Sequence, residues 1–507
     1  MKSKNNFLLF TIIWVMFSCL CCIDVHAITT GDTFGQNDVN SKIITDTAKL
    51  TVYDVWDGEA FSAYKILDAF YNSSTNVVSY EFTFDFQSFL MSEEGKDYSD
   101  LTVDDWYHYK DNSSDFNHLI NAYTSYIKKN FIHGIPMDTN DNERISSKTL
   151  QAGSYLVLPT NAIAVYSVMI GNLDVTAVEN DWQINDAEIR AKSELPEVEK
   201  CVFDSIMGDW STSSASITSY SMGDVIPFKI EATLPTYPSD ATNKTYVITD
   251  VISEGFAFQT DSFLVIDGWE DYGVPIDMSD DSIHFSDNQV IIELDVDQFT
   301  TPYVTVMYQA KLTENAELGL NGVNTNTAHL TYSNDPYGSS TSITPDSKVN
   351  VYTFGLVLNK IDEDFNLIRS NETGFTIYKY IEADDELYPI KTVYSDNLGR
   401  IEFRGLGGGQ YYIKEIRAPS GYRLDNTLHS LFIDAQRPES STWDNERALS
   451  YDDNSGYYYM DIMNEKVGLL PFTGGAGTIV LTLVGLILAT GSIGGIIVYY
   501  KRKKKII

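Results

Sequence analysis

Polar and apolar positions alternate along most of the chain, with period two, in short runs rich in Val, Ile, Tyr, Thr and Phe. Such alternation puts one face of a strand in a core and the other in solvent. Turn residues break the runs often, so the pattern predicts an all-β protein of antiparallel sandwiches. One segment departs from it. Phe116, Leu119, Ile120, Tyr123, Ile127 and Phe131 recur at helical spacing behind Asp115, a candidate N-cap. This predicts a single amphipathic helix whose stripe is core packing.

Several apolar faces carry a polar residue where the alternation calls for an apolar one. Leu356 and Leu358 lead to Lys360, Tyr411 and Ile413 to Glu415, and Met460 and Ile462 to Asn464. The same happens upstream: Val198 and Val202 flank Lys200, Tyr246 and Ile248 lead to Asp250, and Leu330 and Tyr332 lead to Asn334. A lone buried charge is very costly. Two readings fit: the charged ends reach solvent past the sheet edge, or each set meets in a core. In a core, desolvation lowers a lysine pKa and raises a carboxyl pKa. A neutral lysine amine can then attack an asparagine carboxamide polarised by a protonated acid, expelling ammonia and leaving an amide. Proximity and low dielectric would drive the step.

The chain ends differ from its middle. Lys2 and Lys4 precede the apolar run Phe7 to Cys22, and Val25-His26-Ala27 forms a small-residue cleavage site. Residues 1–27 are expected to be a removed secretory signal. At the other end, Leu470-Pro471-Phe472-Thr473-Gly474 precedes an uncharged run from Gly475 to Tyr500 and the basic cluster Lys501 to Lys505. The run is long enough to cross a hydrocarbon core of roughly 30 Å as a helix. The basic cluster holds its end on the cytoplasmic side, and Pro471 keeps the pentapeptide extended.

Between Ile28 and Thr473 the chain carries 28 basic and 70 acidic residues, a net charge of −42. That surface repels nucleic acid and anionic lipid. Only Cys201 survives signal removal, which excludes an internal disulfide in an exported protein. Junction residues divide the remainder into units at 28–194, 195–353 and 354–468, followed by the tail 470–507. Conventional catalytic motifs are scarce, and no enzyme, cofactor or metal site is expected. Asp138 to Glu143 lacks the glycine that a calcium loop needs at its sixth position. Gly405 to Gly409 lacks a phosphate-binding pattern and predicts a hairpin turn.

The tripartite tail resembles the cell-wall sorting signal of Gram-positive surface proteins. The resemblance implies that a sortase cleaves between Thr473 and Gly474 and passes Thr473 to an amine. The third unit resembles a collagen-adhesin B-type domain in Leu358-Asn359-Lys360-Ile361-Asp362, in the strand carrying Glu415, and in Asn464 just before the tail. Ile416-Arg417 stands where a Thr and a variable residue are usual. The implied roles are amine Lys360, acceptor Asn464 and helper Glu415. The second unit resembles the middle domain of sortase-assembled fimbrial pilins in Pro196-Glu197-Val198-Glu199-Lys200, Gly223-Asp224-Val225-Ile226-Pro227-Phe228, Thr249-Asp250-Val251-Ile252-Ser253 and Leu330-Thr331-Tyr332-Ser333-Asn334-Asp335-Pro336. It implies Lys200, helper Asp250 and acceptor Asn334, with Asn326 as rival. The first unit is similar to a pilin N-terminal domain through Phe61-Ser62-Ala63-Tyr64-Lys65-Ile66. The Tyr-Pro-Lys-Asn motif of such pilins is missing; Ile189-Arg190-Ala191-Lys192-Ser193 takes its place, and Lys192 becomes the candidate intermolecular acceptor. Together these imply a fimbrial shaft subunit made of immunoglobulin-like sandwiches, with sortase, neighbouring subunits, peptidoglycan and host surface ligands as partners. The alternative is a monomeric adhesin anchored to peptidoglycan.

Overall fold

The computed structural model describes residues 41–467, apart from 110–112, 180, 213–216, 280–281, 382–385 and 445, together with 482–484 and 486. The signal segment and the pentapeptide Leu470 to Gly474 lie outside the described residues, as does almost all of the run Gly475 to Tyr500. Among the described residues no helix is long and apolar enough to cross a membrane.

The strands group into three sandwiches. In the first, Ala60–Asn72 is central, paired with Ser41–Ile43, Val77–Phe82, Ile135–Pro136 and Gly153–Asn161. A second sheet orders Ala187–Arg190, Thr47–Tyr53, Ile145–Gln151 and Asp138–Asn140. Long central strands here are buried on both faces. Phe61, Ala63 and Val157 meet Leu50, Val52 and Leu150 of the second sheet. Ile66, Leu67, Leu156 and Leu158 pack instead against helices. The register of Ala60–Asn72 slips between Lys65 and Leu67, which changes the residues that face each layer.

The long helix Ser113–Lys129 buries Phe116, Leu119, Ile120, Tyr123 and Ile127, as their spacing requires. It begins two residues before Asp115, which therefore lies in the first turn and is not the cap. Phe131 is 83% exposed, with φ 52°, beyond the helix end. Two shorter helices, Phe84–Leu90 and Val103–Tyr109, join the layer through Phe86, Phe89 and Trp106. Their seven residues are too few to show a helical period clearly.

In the second sandwich one sheet runs Asp209–Thr212, Val198–Asp204, Val225–Thr233, Tyr303–Leu312, Phe256–Asp267 and Val274–Ile276. The facing sheet contains Ile283–Phe285, Gln289–Glu293, Tyr246–Ile252, Asn324–Ser333, Thr341–Ile343 and Ser347–Val351. In the third, Arg400–Leu406, Phe354–Ile361, Tyr457–Met463 and Ser450–Asp452 face a sheet built around Gly374–Ile381, Gly409–Arg417 and Leu428–Ile433. The first strand of this unit, Phe354–Ile361, pairs in parallel with the last, Tyr457–Met463.

The glycine-rich turn does link Arg400–Leu406 to Gly409–Arg417, and it is also the joint between the second and third sandwiches. Gly408 N donates to Ser219 Oγ at 2.9 Å, Gly407 N to Ser221 Oγ at 3.1 Å, and Met222 N to Gly405 O at 2.9 Å. A Cβ on Gly407 would lie 2.9 Å from the backbone carbonyl carbon of Tyr220. Gly407→Val should force this joint apart at a cost of about 1–3 kcal/mol. Limited proteolysis should then cut near residues 217–223 faster, while the melting of the isolated third unit stays unchanged.

Candidate functional site

Two clusters of buried polar side chains lie in the cores of the second and third sandwiches. In the third, Leu356, Leu358 and Lys360 share the inward face of their strand, and Met460, Ile462 and Asn464 share that of the parallel neighbour. Lys360 and Ile462 are register partners, and Asn464 N continues the pairing with a bond to Ile361 O at 3.0 Å. Glu415 comes from the facing sheet. Phe375 pairs with Glu415 and Gly374 with Arg417, so Ile416 is an extra residue. This bulge sits beside the carboxylate, where bulges commonly re-aim a side chain.

Lys360, Glu415 and Asn464 are 0%, 1% and 2% exposed. Lys360 Nζ lies 3.4 Å from Glu415 Oε1 and 5.3 Å from the centre of the Phe375 ring. Glu415 Oε2 accepts from Asn464 Nδ2 at 2.9 Å and from Asp425 N at 2.7 Å. Asn464 Nδ2 also donates to Arg423 O at 2.5 Å. Lys360 Nζ, Glu415 Oε1 and Asn464 Oδ1 have no hydrogen-bond partner. Burial pulls the Lys360 amine down to about 8, against the opposing pull of Glu415.

The second sandwich holds a different arrangement. Lys200 Nζ lies 2.8 Å from Asp250 Oδ1, both residues fully buried. Burial likewise lowers Lys200 to about 8, opposed by the Asp250 charge. Lys200 stands on one sheet, and Asp250 with its neighbouring strand Asn324–Ser333 on the other. The structure does not bring Asn334 to this pair. Asp250 is opposite Ala328 and Ile252 is opposite Asn326, so Asn326 lies one inward position from the aspartate. Asn334 lies past the far end of the strand, where Nδ2 donates to Ala162 O of the first sandwich and to Ser342 Oγ. Asn324, Asn326, Ala328, Leu330 and Tyr332 all face inward. Alternation therefore could not choose between Asn326 and Asn334, which are eight residues or roughly 27 Å of strand apart.

Sequence reasoning missed Tyr308. Its hydroxyl accepts from Lys200 Nζ at 2.5 Å and from Asn326 Nδ2 at 2.6 Å, and donates to Asp250 Oδ2. Asn326 Oδ1 has no partner. The ring is stacked on Phe263, with centres 4.6 Å apart. A signal was available: Val304, Val306, Tyr308, Ala310 and Leu312 alternate inward, and a buried tyrosine hydroxyl needs a polar partner.

Lys192 is exposed at the joint of the first two sandwiches. It lines a groove of about 660 Å³ with Lys128, Arg190, Glu194, Asn334 and Tyr337. Lys128 Nζ pairs there with Asp335 at 2.7 Å, and Tyr332 OH donates to Ile163 O at 2.5 Å. Among the described residues no group of His, Cys, Asp and Glu forms a metal cluster. Asp138 instead pairs with Lys148, and Asp141 accepts from Gly58 N.

Fold and clusters define a protein of tandem β-sandwiches with buried lysine–carboxylate–asparagine clusters in two of its cores. Comparison with known proteins shows what parts of the chain are similar to. Residues 222–336 match the Gram-positive pilin backbone subunit 2, Cna-B-like domain; residues 355–447 match a prealbumin-like fold domain; and residues 463–506 match the LPXTG cell wall anchor motif. The chain thus carries one stretch similar to a Gram-positive pilin backbone domain and a C-terminal stretch similar to a cell-wall anchor motif. It is 24% identical over 394 residues to the trypsin-resistant surface T6 protein of Streptococcus pyogenes serotype M6, covering 62% of this chain and 70% of that one. The solved T6 backbone pilin of the same organism shares its fold, with TM-score 0.59, 18% identity, and coverage of 83% of this chain and 99% of that one. The full-length major pilin SpaD of Corynebacterium diphtheriae does so with TM-score 0.52, 16% identity and coverage of 83% and 98%.

A lowered lysine pKa has a definite consequence for stability. Where the lysine remains an amine, folding releases its proton between about pH 8 and the unfolded value near 10.5. The unfolded chain then binds more protons, so stability rises with pH across that window. Asn464→Ala should keep Lys360 an amine and melt higher at pH 10 than at pH 8 by calorimetry. A flat or falling profile would contradict the lowered pKa.

Proposed function

We propose that the chain is the structural shaft subunit of a covalently assembled pilus, stapled internally by two lysine–asparagine amide bonds. The observation that carries this reading is the pair of buried clusters in successive sandwiches. Each holds an amine, a carboxylate and a carboxamide where a free charge would be costly. Attack of Lys360 Nζ on Asn464 Cγ forms the amide, breaks the bond to Nδ2 and releases ammonia. Glu415 takes the amine proton and passes it to the leaving nitrogen. In the middle sandwich the amine is Lys200, the helper Asp250 and the acceptor Asn326 in place of Asn334. Each centre reacts once, so the chemistry is maturation of the fold and not turnover.

The geometry supports the energetic sense of this. With a pKa near 8, roughly a tenth of each lysine is neutral at pH 7, against a few parts in ten thousand at the ordinary value. The Lys360–Asn464 bond closes a loop of 104 residues (464 − 360). On the chain-entropy scale for cross-links that is about 4–5 kcal/mol. It would tie the first strand of its unit to the last, so that tension could pass between chain ends without unzipping the sheets. The Lys200–Asn326 bond would instead tie the two sheets of the middle sandwich across its core.

At the surface, a sortase would cleave between Thr473 and Gly474 and transfer Thr473 to Lys192 of a neighbouring subunit, or to peptidoglycan at the base. The exposed position of Lys192 in the interdomain groove supports this choice. Host surface ligands would be met by the exposed faces of the shaft.

Intact mass of the mature chain should fall two ammonias short of the sequence mass. Glu415→Ala should restore one of them. Tryptic mapping should give branched peptides joining Lys200 to Asn326 and Lys360 to Asn464. An unshortened mass in well-folded protein would refute the internal bonds, and a branch at Asn334 would refute the choice of Asn326. In the native host with its sortase, Lys192→Ala should abolish the high-mass ladder of wall extracts while monomer persists. A single band from the unaltered chain would mark a monomeric anchored adhesin instead.

A further inference from the structure

The two clusters differ in one respect that the shared chemistry does not explain. In the third sandwich Glu415 touches the amide nitrogen of Asn464 directly, at 2.9 Å. In the middle sandwich the carboxylate belongs to an aspartate, one methylene shorter. Asp250 reaches Lys200 Nζ through Oδ1, but Asn326 Nδ2 donates to Tyr308 OH and not to the carboxylate. Tyr308 OH in turn donates to Asp250 Oδ2. The phenol therefore stands between the acid and the nitrogen that must leave.

We propose that Tyr308 is the catalytic acid that protonates the departing nitrogen of Asn326, completing a relay from Lys200 through Asp250. The inference rests on the reading that Lys200 and Asn326 become joined. The Lys200 ammonium first gives a proton to Asp250, leaving a neutral amine. Its lone pair attacks Asn326 Cγ, and the carbonyl electrons move to Oδ1. Nδ2 loses amide resonance and becomes basic, and Tyr308 OH at 2.6 Å protonates it. Asp250 restores the phenol with the proton it holds, and takes the second amine proton as the C–Nδ2 bond breaks. Of the two protons that leave Lys200, one ends on the ammonia and one on Asp250, so the products are one amide, one ammonia, a neutral Asp250 and Tyr308 protonated as at the start; no outside reactant enters.

Position supports this role. The phenol is held rigidly, stacked on Phe263 at 4.6 Å with 5° between planes and on Phe228 at 5.6 Å. It lies on the same sheet as Lys200, so the hydroxyl and the amine approach Asn326 from one side. Water is excluded: Lys200, Asp250 and Asn326 are fully buried and Tyr308 is 2% exposed. With no solvent to supply the proton, a fixed donor is required. The third sandwich needs no such residue, because its longer carboxylate already touches the leaving nitrogen.

The test follows both closures in chain produced unfolded as inclusion bodies, dissolved in denaturant with its mass unshortened, and then refolded. Branched peptides carrying Lys200 and Lys360 are quantified by mass spectrometry over time. Tyr308→Phe should slow closure at Lys200 by about 10²–10⁴-fold, the usual contribution of a general acid. Closure at Lys360 should be unchanged and serves as the internal control. Equal rates at Lys200 in the variant and the unaltered chain would overturn the role of Tyr308 while leaving the bond intact. Absence of the Lys200 branch from the unaltered chain would overturn the underlying reading instead. Should Tyr308→Phe fail to fold, 3-fluorotyrosine placed at position 308 decides. It keeps the ring and the hydroxyl but makes a stronger acid, so the pH profile of Lys200 closure should shift, and an unmoved profile would refute the proposal.

Discussion

An ammonium and a carboxylate buried together, away from water, are the constraint on which the two C-terminal sandwiches depend. Lys200 with Asp250 and Lys360 with Glu415 are each enclosed by aromatic and aliphatic side chains. Taking such a pair out of water costs several kcal/mol per ion before attraction is counted. The cores are otherwise apolar, so their integrity requires either well-satisfied charges or none. The hydrogen-bonding gaps at Lys360 Nζ, Glu415 Oε1 and Asn464 Oδ1 show that charge pairing alone leaves the third unit unsatisfied. Proton transfer and amide formation remove both charges and consume the amine. What would be a defect in an ordinary core becomes, on the proposed chemistry, the driving force for a cross-link.

On the proposed chemistry, the same reaction would be framed differently in the two units. In the third, amine and acceptor sit on parallel neighbouring strands of one sheet, and the carboxylate arrives from the facing sheet beside a bulge. In the second, amine and acceptor face each other across the sandwich, with a tyrosine filling the distance that the aspartate does not span. Choice of Asp or Glu, choice of strands and presence of a phenol therefore form one coupled set. An exchange of carboxylates between the units would break the geometry of both.

The sandwiches are joined by direct contacts and not by bare linkers. Gly407 lets backbone approach backbone between the second and third units, and Gly405 leaves room for the Met222 side chain. At the first joint, Asn334, Asp335 and Tyr332 bond to the first unit, leaving a groove on whose wall Lys192 stands. On the proposed function, a shaft subunit under tension would need such joints as much as internal staples. The residues that sequence reasoning assigned to a core reaction, in the case of Asn334, serve the joint.

Alternation with period two fixed the strands and their inward faces, because side-chain direction in a strand is a local property of the backbone. Lys360, Glu415, Asn464, Lys200 and Asp250 were legible for that reason: each stands on a face whose other members are apolar. The pentapeptide Leu470 to Gly474 was likewise legible from chemistry along the chain, and it falls within the stretch that matches the LPXTG anchor motif. Position along a strand is another matter. Asn326 and Asn334 share a face, and only the pairing of Tyr246–Ile252 with Asn324–Ser333 decides which one lies beside Asp250. Register depends on partners distant in sequence, as does the meeting of Tyr308 with residues of three other strands. Helix ends and the two short helices were decided the same way, by packing onto the strands Ala60–Asn72 and Gly153–Asn161 and not by local spacing. The sequence by itself determined which side chains must be buried; tertiary structure decided which of them touch, because contact between strands is set by register and sheet stacking, which no single segment encodes.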